Sequence, residues 1–249
     1  MVTTSFRLDG REPDQIRPLS LLRDFTSNAH GSVLASMGGT RVLCTASVDE
    51  EVPRWMRGTG KGWVTAEYSM LPGSSKERVT REAVKGKQSG RTQEIQRLIG
   101  RSLRAVCDLV LLGEIQIILD CDVIQADGGT RTTSICGAYV ALHDAVTRLV
   151  SEGRVAENPL TSKCAAISVG IVDGLCMADL CYEEDSRAQV DMNVVMNSNG
   201  RFIELQGTAE GLAFSKSELT ELLGLAEGSL AKIFDLQGQV LSSALESTR

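Results

Sequence analysis

Residues 114–150 read EIQIILDCDVIQADGGTRTTSICGAYVALHDAVTRLV, and the two ends of this stretch follow different periods. The first end is an apolar, β-branched run after Gly113, which predicts a strand although Asp120 and Asp122 interrupt it. The second end puts Ile135, Ala138, Tyr139, Leu142, Ala145, Val146 and Leu149 on one side of a helix from about Thr130 to Val150. Between them, Asp127-Gly128-Gly129 is a turn. Strand, turn and helix thus form one unit whose helix starts directly on a glycine pair.

Upstream, VLASM and TRVLCTASV flank Gly38-Gly39, the pattern of a hairpin with a two-residue turn. Residues 54–90 are rich in glycine and basic residues and hold no sustained period, which predicts a long, partly mobile basic loop. From Arg91 the spacing becomes helical: Ile95, Leu98, Ile99, Ser102, Leu103 and Val106 share a face, and Arg97, Arg101 and Arg104 lie opposite. Arg91 falls nearer the apolar side and is expected to reach inward. Downstream, AAISVGIV and LCMADLCY flank Asp173-Gly174, and VDMNVVMN and RFIELQGT flank Asn199-Gly200, giving two more hairpins. Ser215 with Glu218 makes a capping box before Leu219, Leu222, Leu223 and Ala226 on a final long helix. The expected fold is α+β, with mixed sheets, hairpins and packed helices. Its three hairpins hint at an internal duplication.

Composition narrows the class. With 249 residues, 42% hydrophobic and only 5 prolines, the chain can bury a sizeable core and is not a low-complexity or disordered sequence. No stretch has the apolar length of a membrane span, and the start lacks the apolar core of a signal peptide, so a cytoplasmic, membrane-free location is expected. The 7 cysteines sit mostly in apolar runs without a CxxC pair and read as reduced core residues. The net charge of −6 conceals a strong asymmetry. Residues 54–104 hold twelve basic residues against Glu67, Glu77, Glu82 and Glu94, while the rest of the chain is strongly acidic. A basic segment in an acidic protein fits a local polyanion site, and it fits a solvated helix face equally well.

The turn before the helix has its own chemistry. A helix start offers unpaired N–H groups, Thr130, Thr132, Thr133 and Ser134 add hydroxyls, and Arg131 adds a forked cation suited to phosphate. A bland alternative is that Thr130 caps the helix and Gly128 and Gly129 only turn the chain. Arg91 weighs against it, because it follows the glycine-containing GKQSG as Arg131 follows DGG, so two helix starts could converge on one anion. No GxxxxGK[ST] loop is present, which leaves a nucleoside-triphosphatase loop unsupported. Of the two histidines, His30 falls in a turn and His143 among apolar helix neighbours, so a Ser-His-Asp triad has little basis. Carboxylates are the acid–base candidates: Asp185 in the segment EEDS and Asp191 at the start of a strand. A two-residue turn at Asn199-Gly200 would pair Asp191 with Thr208, Asn193 with Gln206 and Val195 with Glu204, giving the hairpin one polar face. That face is either solvated or the wall of a cleft in which Asp185 and Asp191 bind Mg²⁺ or protonate a leaving oxygen.

The strings IRPLSLLRDFTSNAHGSVLASMGGTRVLCTASV, GKGWVTAEYSMLP, KGKQSGRTQEIQRLIGRSLRA, LDCDVIQADGGTRTTSICGAYVAL, EDSRAQVDMNVVM and ELQGTAEG together resemble bacterial ribonuclease PH along nearly the whole chain. The resemblance implies one ribonuclease PH-type domain over residues 1–249, with a basic RNA-facing loop at about 54–90 and a C-terminal α/β half at about 160–249. It implies a phosphorolytic 3′→5′ exoribonuclease and nucleotidyltransferase that uses inorganic phosphate as co-substrate, with Mg²⁺, and trims tRNA precursors with a role in rRNA turnover. Matched positions imply phosphate binding at Arg91, Gly129, Thr130 and Arg131, catalysis and metal binding at Asp185 and Asp191, and RNA binding at Lys76, Arg78 and Arg81. Gly73 departs from the family pattern, where an arginine is common, and bears on RNA affinity. A homohexamer, a trimer of dimers, is also implied, with Arg97, Arg101 and Arg104 at interfaces or the central opening. The competing classes are a catalytically silent RNA-binding ring subunit and a metal-dependent hydrolytic nuclease.

Overall fold

The computed structural model describes residues 7, 9–211 and 213–243, so the ends of the expected 1–249 span lie outside the described residues. Five strands, β1 (Leu19–Arg23), β2 (Gly31–Met37), β3 (Thr40–Asp49), β4 (Trp63–Met70) and β5 (Gln116–Gln125), form a mixed sheet in the order β1-β2-β3-β5-β4. Among the described residues of this sheet only the β4–β5 pair is parallel. A second, antiparallel sheet has the order β7-β6-β8-β9, from β6 (Cys164–Val172), β7 (Leu175–Ala178), β8 (Val190–Asn197) and β9 (Phe202–Ala209).

Three longer helices position these sheets: α2 (Gly90–Arg104) on β4, α4 (Thr130–Ser151) between the sheets, and α6 (Lys216–Ser242) on the far side of the second sheet. Short turns α1 (Glu82–Lys85), α3 (Leu109–Leu112) and α5 (Tyr182–Asp185) lie between larger elements. Because α4 is sandwiched, burial extends around it from Thr132 to Leu142 and is not confined to one stripe. A helix covered all round is the form expected of a central element. It approaches β2 closely at Gly31, where any Cβ would overlap the Ala141 carbonyl, so glycine there sets the distance between helix and sheet. Strand β6 is buried along its whole length, with Cys164 and Ala166 facing the α4 core and Ala165, Ile167, Val169 and Ile171 facing α6.

The hairpin and helix expectations agree with these elements, including the Ser215–Glu218 capping box, except that LCMADLCY is a strand only over Leu175–Ala178, because Asp179 takes a positive φ of 54° and leaves the sheet. Asp120 and Asp122 do not break β5 because both alternate to the sheet face opposite the buried Leu119, Cys121 and Val123. The Asp191–Thr208, Asn193–Gln206 and Val195–Glu204 pairs are present, although the turn is longer than two residues and a bulge next to Val195 absorbs the difference. Residues 54–90 differ from expectation. They contain β4, whose Val64, Ala66 and Tyr68 are buried, so the loop proper begins only after Met70. Arg104 also differs: its guanidinium stacks 4.2 Å from the Trp63 ring centroid and donates to the Val64 carbonyl at 2.7 Å, which holds it against β4. Six cysteines are buried, Cys181 is partly exposed, and all seven are free. Among the described residues no helix is long and apolar enough to cross a membrane.

Candidate active site

The β5–α4 turn forms one wall of a cleft of about 930 Å³. Gly128 and Gly129 both have positive φ, at 72° and 64°, which glycine adopts without the Cβ strain of other residues. Gly129 is the N-cap of α4, and among the described residues no side chain caps the helix. Its first-turn N–H groups are therefore left for another acceptor. Thr130 borders the cleft, and its hydroxyl lies 2.9 Å from that of buried Tyr68. Burial raises the Tyr68 phenol above its ordinary value, so it stays protonated and available to orient Thr130. The other hydroxyls of this turn point elsewhere: Thr132 donates to the Gly129 carbonyl and Ser134 to the Thr130 carbonyl.

Arg131 stands on the same wall, held by Glu94 of α2 at 3.3 Å and by the Gln206 amide oxygen of β9 at 3.2 Å. Arg91 also borders the cleft, but it is exposed. It sits in the first turn of α2, after the Ser89 cap, where that helix end meets open solvent, and so does not reach inward as its helical position predicts.

Asp185 and Asp191 line the same cleft. Asp185 ends the one-turn helix α5 and Asp191 is the second residue of β8. The polar face of the β8–β9 hairpin is a cleft wall because Asp191 and Asn193 share the side that, two residues on, packs Val195 into the α4 core. Burial pushes Asp191 up to about 6, the Asp185 charge adds to the rise, and Arg131 and Arg91 oppose it. Burial also raises Asp185, against the pull of Arg91, Arg131 and Arg17. The two arginines therefore act electrostatically on both carboxylates across one space.

Lys76 and Arg78 lie on the rim of this cleft, both exposed. Arg81 is placed differently, in an adjoining pocket of about 650 Å³ whose floor carries Glu67, Asp120 and Asp122. Gly73 has open space where a Cβ would be, so the backbone does not require glycine there. Sequence reading assigned no role to Arg17, which borders the cleft although it is 4% exposed. It also missed Glu94 as the partner of Arg131. Neither residue has a local signal, since both act through contacts distant in sequence.

Comparison with known proteins identifies the family and the fold. The model for domain 1 of the 3′ exoribonuclease family, RNase_PH, matches residues 15–147, and the model for domain 2 matches residues 164–229. Rice (Oryza sativa) Rrp46 is similar in structure, with a TM-score of 0.77 at 20% identity over 95% of this chain and 100% of that one. An Archaeoglobus fulgidus exosome with RNA bound to its active site gives a TM-score of 0.79 at 19% identity, covering 93% of this chain and 92% of that one. An archaeal exosome core gives 0.75 at 18%, covering 94% and 91%.

Proposed function

The chain belongs to the ribonuclease PH-type 3′ exoribonuclease family, and from that premise we propose that it shortens RNA from the 3′ end by phosphorolysis, in the manner of bacterial ribonuclease PH. One observation carries the reading: Arg91, Thr130, Arg131 and an uncapped helix end share a cleft with Asp185 and Asp191. An attacking phosphate must approach a diester that is already anionic, and two guanidinium groups with a helix dipole offset that repulsion. Arg131 exchanges part of its contact with Glu94 and Gln206 for the phosphate. A phosphate oxygen then bonds to the terminal phosphorus, the bond to the 3′ oxygen breaks, and a nucleoside diphosphate leaves. The departing 3′ oxygen takes up a proton, for which Asp191 is placed, with Asp185 beside it.

The acidic pair fits Mg²⁺. Two partly buried carboxylates in one cleft, with the Asp185 charge raising the proton affinity of Asp191, form a donor set that a divalent cation neutralises, and Mg²⁺ commonly takes one or two carboxylates with substrate phosphates and water. Asp185 and Asp191 would hold it as ionised carboxylates, an alternative to Asp191 giving the proton, and it would supply charge stabilisation at the departing oxygen. Within this reading Lys76 and Arg78 guide the RNA, the substrates are tRNA precursors and rRNA, and the active form is a homohexameric ring.

RNA incubated with and without inorganic phosphate tests the proposal. Nucleoside diphosphates that form only with phosphate are expected. Monophosphates made without phosphate would assign a hydrolytic nuclease, and RNA binding with no turnover would assign a silent ring subunit.

A further inference from the structure

Arg17 precedes β1, far in sequence from both walls of the cleft, yet it contacts the turn of one wall and Asp179, in the segment that leads to Asp185 on the other. Its Nη2 donates to Asp179 Oδ1 at 2.6 Å and its Nε to Asp179 Oδ2 at 2.9 Å, and its own backbone N–H donates to Oδ2 at 2.6 Å. Nη1 reaches across to donate to the Asp127 carbonyl, the first residue of the phosphate turn. A Cβ on Gly129 would lie 3.3 Å from Nη2, so the guanidinium rests against the backbone of that turn. Asp179 is 1% exposed and holds φ at +54°, an uncommon conformation for a residue with a side chain, and it lies six residues before Asp185. A backbone in that region persists where surrounding contacts over-determine it.

Two neighbouring contacts brace the same junction. Arg7 forms a buried two-point pair with Glu184, at 2.8 and 2.6 Å, and donates to the Ala178 and Asp179 carbonyls. The Tyr182 N–H donates to Asp127 Oδ1 at 3.4 Å. The segment 178–184 is thus clasped to the N-terminal segment and to the phosphate turn together.

Resting on the reading of the site as a phosphorolytic centre, we infer that Arg17 is a positioning residue: it sets the distance between the turn that binds the attacking phosphate and the segment that carries Asp185. Its guanidinium is paired with Asp179, so what it gives the reaction is chiefly geometry, with a weaker pull on the Asp185 carboxyl that Arg17→Lys would retain. In-line attack is sensitive to such geometry, and a displacement near 1 Å costs roughly a hundredfold in rate.

Arg17→Lys is the decisive variant. It keeps a cation beside Asp179 but cannot hold Asp179 and the Asp127 carbonyl with one planar fork. The pair Arg17→Gln with Asp179→Asn is a second variant, which removes both charges and leaves neither buried without a partner. The measurements are thermal unfolding, RNA affinity by fluorescence anisotropy, inorganic phosphate binding by calorimetry, and kcat and KM for phosphate. For folded variants the expected result is RNA affinity within twofold of wild type, with kcat/KM for phosphate down roughly a hundredfold and phosphate binding weakened at least tenfold. A merely structural role would lower the unfolding temperature and move RNA and phosphate affinity together. Either variant, folded and with phosphate affinity and kcat/KM within threefold of wild type, overturns the inference. A wild-type protein that releases no nucleoside diphosphate overturns the functional reading instead, and the calorimetric comparison then still decides the role of Arg17.

Discussion

Asp191 is held where ionisation is costly, and that cost has a measurable sign. Its carboxyl is pushed up to about 6 in the folded protein, chiefly by burial and then by Asp185, so folding favours the protonated form. Stability drawn from this group is present below its ordinary value near 4 and is lost as pH rises through about 6. Asp191→Asn mimics the protonated state. After allowance for solvent screening, it should stabilise the metal-free protein by about 1 kcal/mol above neutral pH, or about 2–4 °C in unfolding temperature. The gain should vanish near pH 4 while phosphorolysis is lost at every pH. Thermal scans across pH in the presence of a chelator, with parallel activity assays, check both halves. A gain in stability with a loss of function is the signature of a charge kept for chemistry. At this scale Asp191, Thr130 and Arg131 were legible as candidates because each sits at an element start with a visible pattern, and Asp185 was a candidate from its polar segment although α5 has no such pattern. Arg17 was not, since Gln15-Ile16-Arg17-Pro18 carries no period, cap or turn signal that distinguishes a clasp from a surface cation.

At the scale of elements, the turn before α4 is tied to α5 by close approach. A Cβ on Gly128 would meet the Leu180 carbonyl oxygen at 2.5 Å, the Cys181 carbonyl carbon at 2.7 Å and the Tyr182 nitrogen at 2.8 Å, all backbone atoms that cannot swing aside. Gly128→Ala also forces a side chain into left-handed backbone at φ +72°, at about 1 kcal/mol or more. The turn and α5 must then separate, so phosphorolysis should fall by roughly a hundredfold and the unfolding temperature by several degrees. Steady-state kinetics and calorimetric scans test this, and unchanged phosphate kinetics would contradict it. The long helices and hairpins could be read from sequence because their periods run for whole elements. β4 could not, since its buried residues include the small Ala66 between Thr65 and Glu67, which blurs the alternation in a glycine-rich, basic neighbourhood. α5 is a single turn whose Glu184 is buried only because Arg7 pairs with it. No window of local sequence contains that partner.

Across the whole molecule, charge is sorted by position. The chain is acidic at −6 overall, and the cleft that Lys76, Arg78, Arg91 and Arg131 border also carries Glu77, Glu183, Asp185 and Asp191, so its cations face nearby carboxylates. Replacing Lys76 and Arg78 with alanine should lower the slope of log affinity against log salt for single-stranded RNA by about 1.4, near 0.7 for each lost phosphate contact. Arg81→Ala should change it less, because Arg81 lies over the acidic floor of the adjoining pocket. Anisotropy titrations at several salt concentrations measure both slopes, and equal effects would show that the rim does not guide RNA.

The placement of α4 has a wider effect. Its first turn faces the cleft, while its body is packed between both sheets and contributes to both main cores. An anion held at that end is thermodynamically linked to the whole fold: a ligand bound only by the native state at a hundred times its Kd adds about 2.7 kcal/mol against global opening. Amide hydrogens in β3 and in β6, on opposite sides of the helix, should therefore slow their exchange together when phosphate binds, making the central helix a gauge of site occupancy that can be read far from the site.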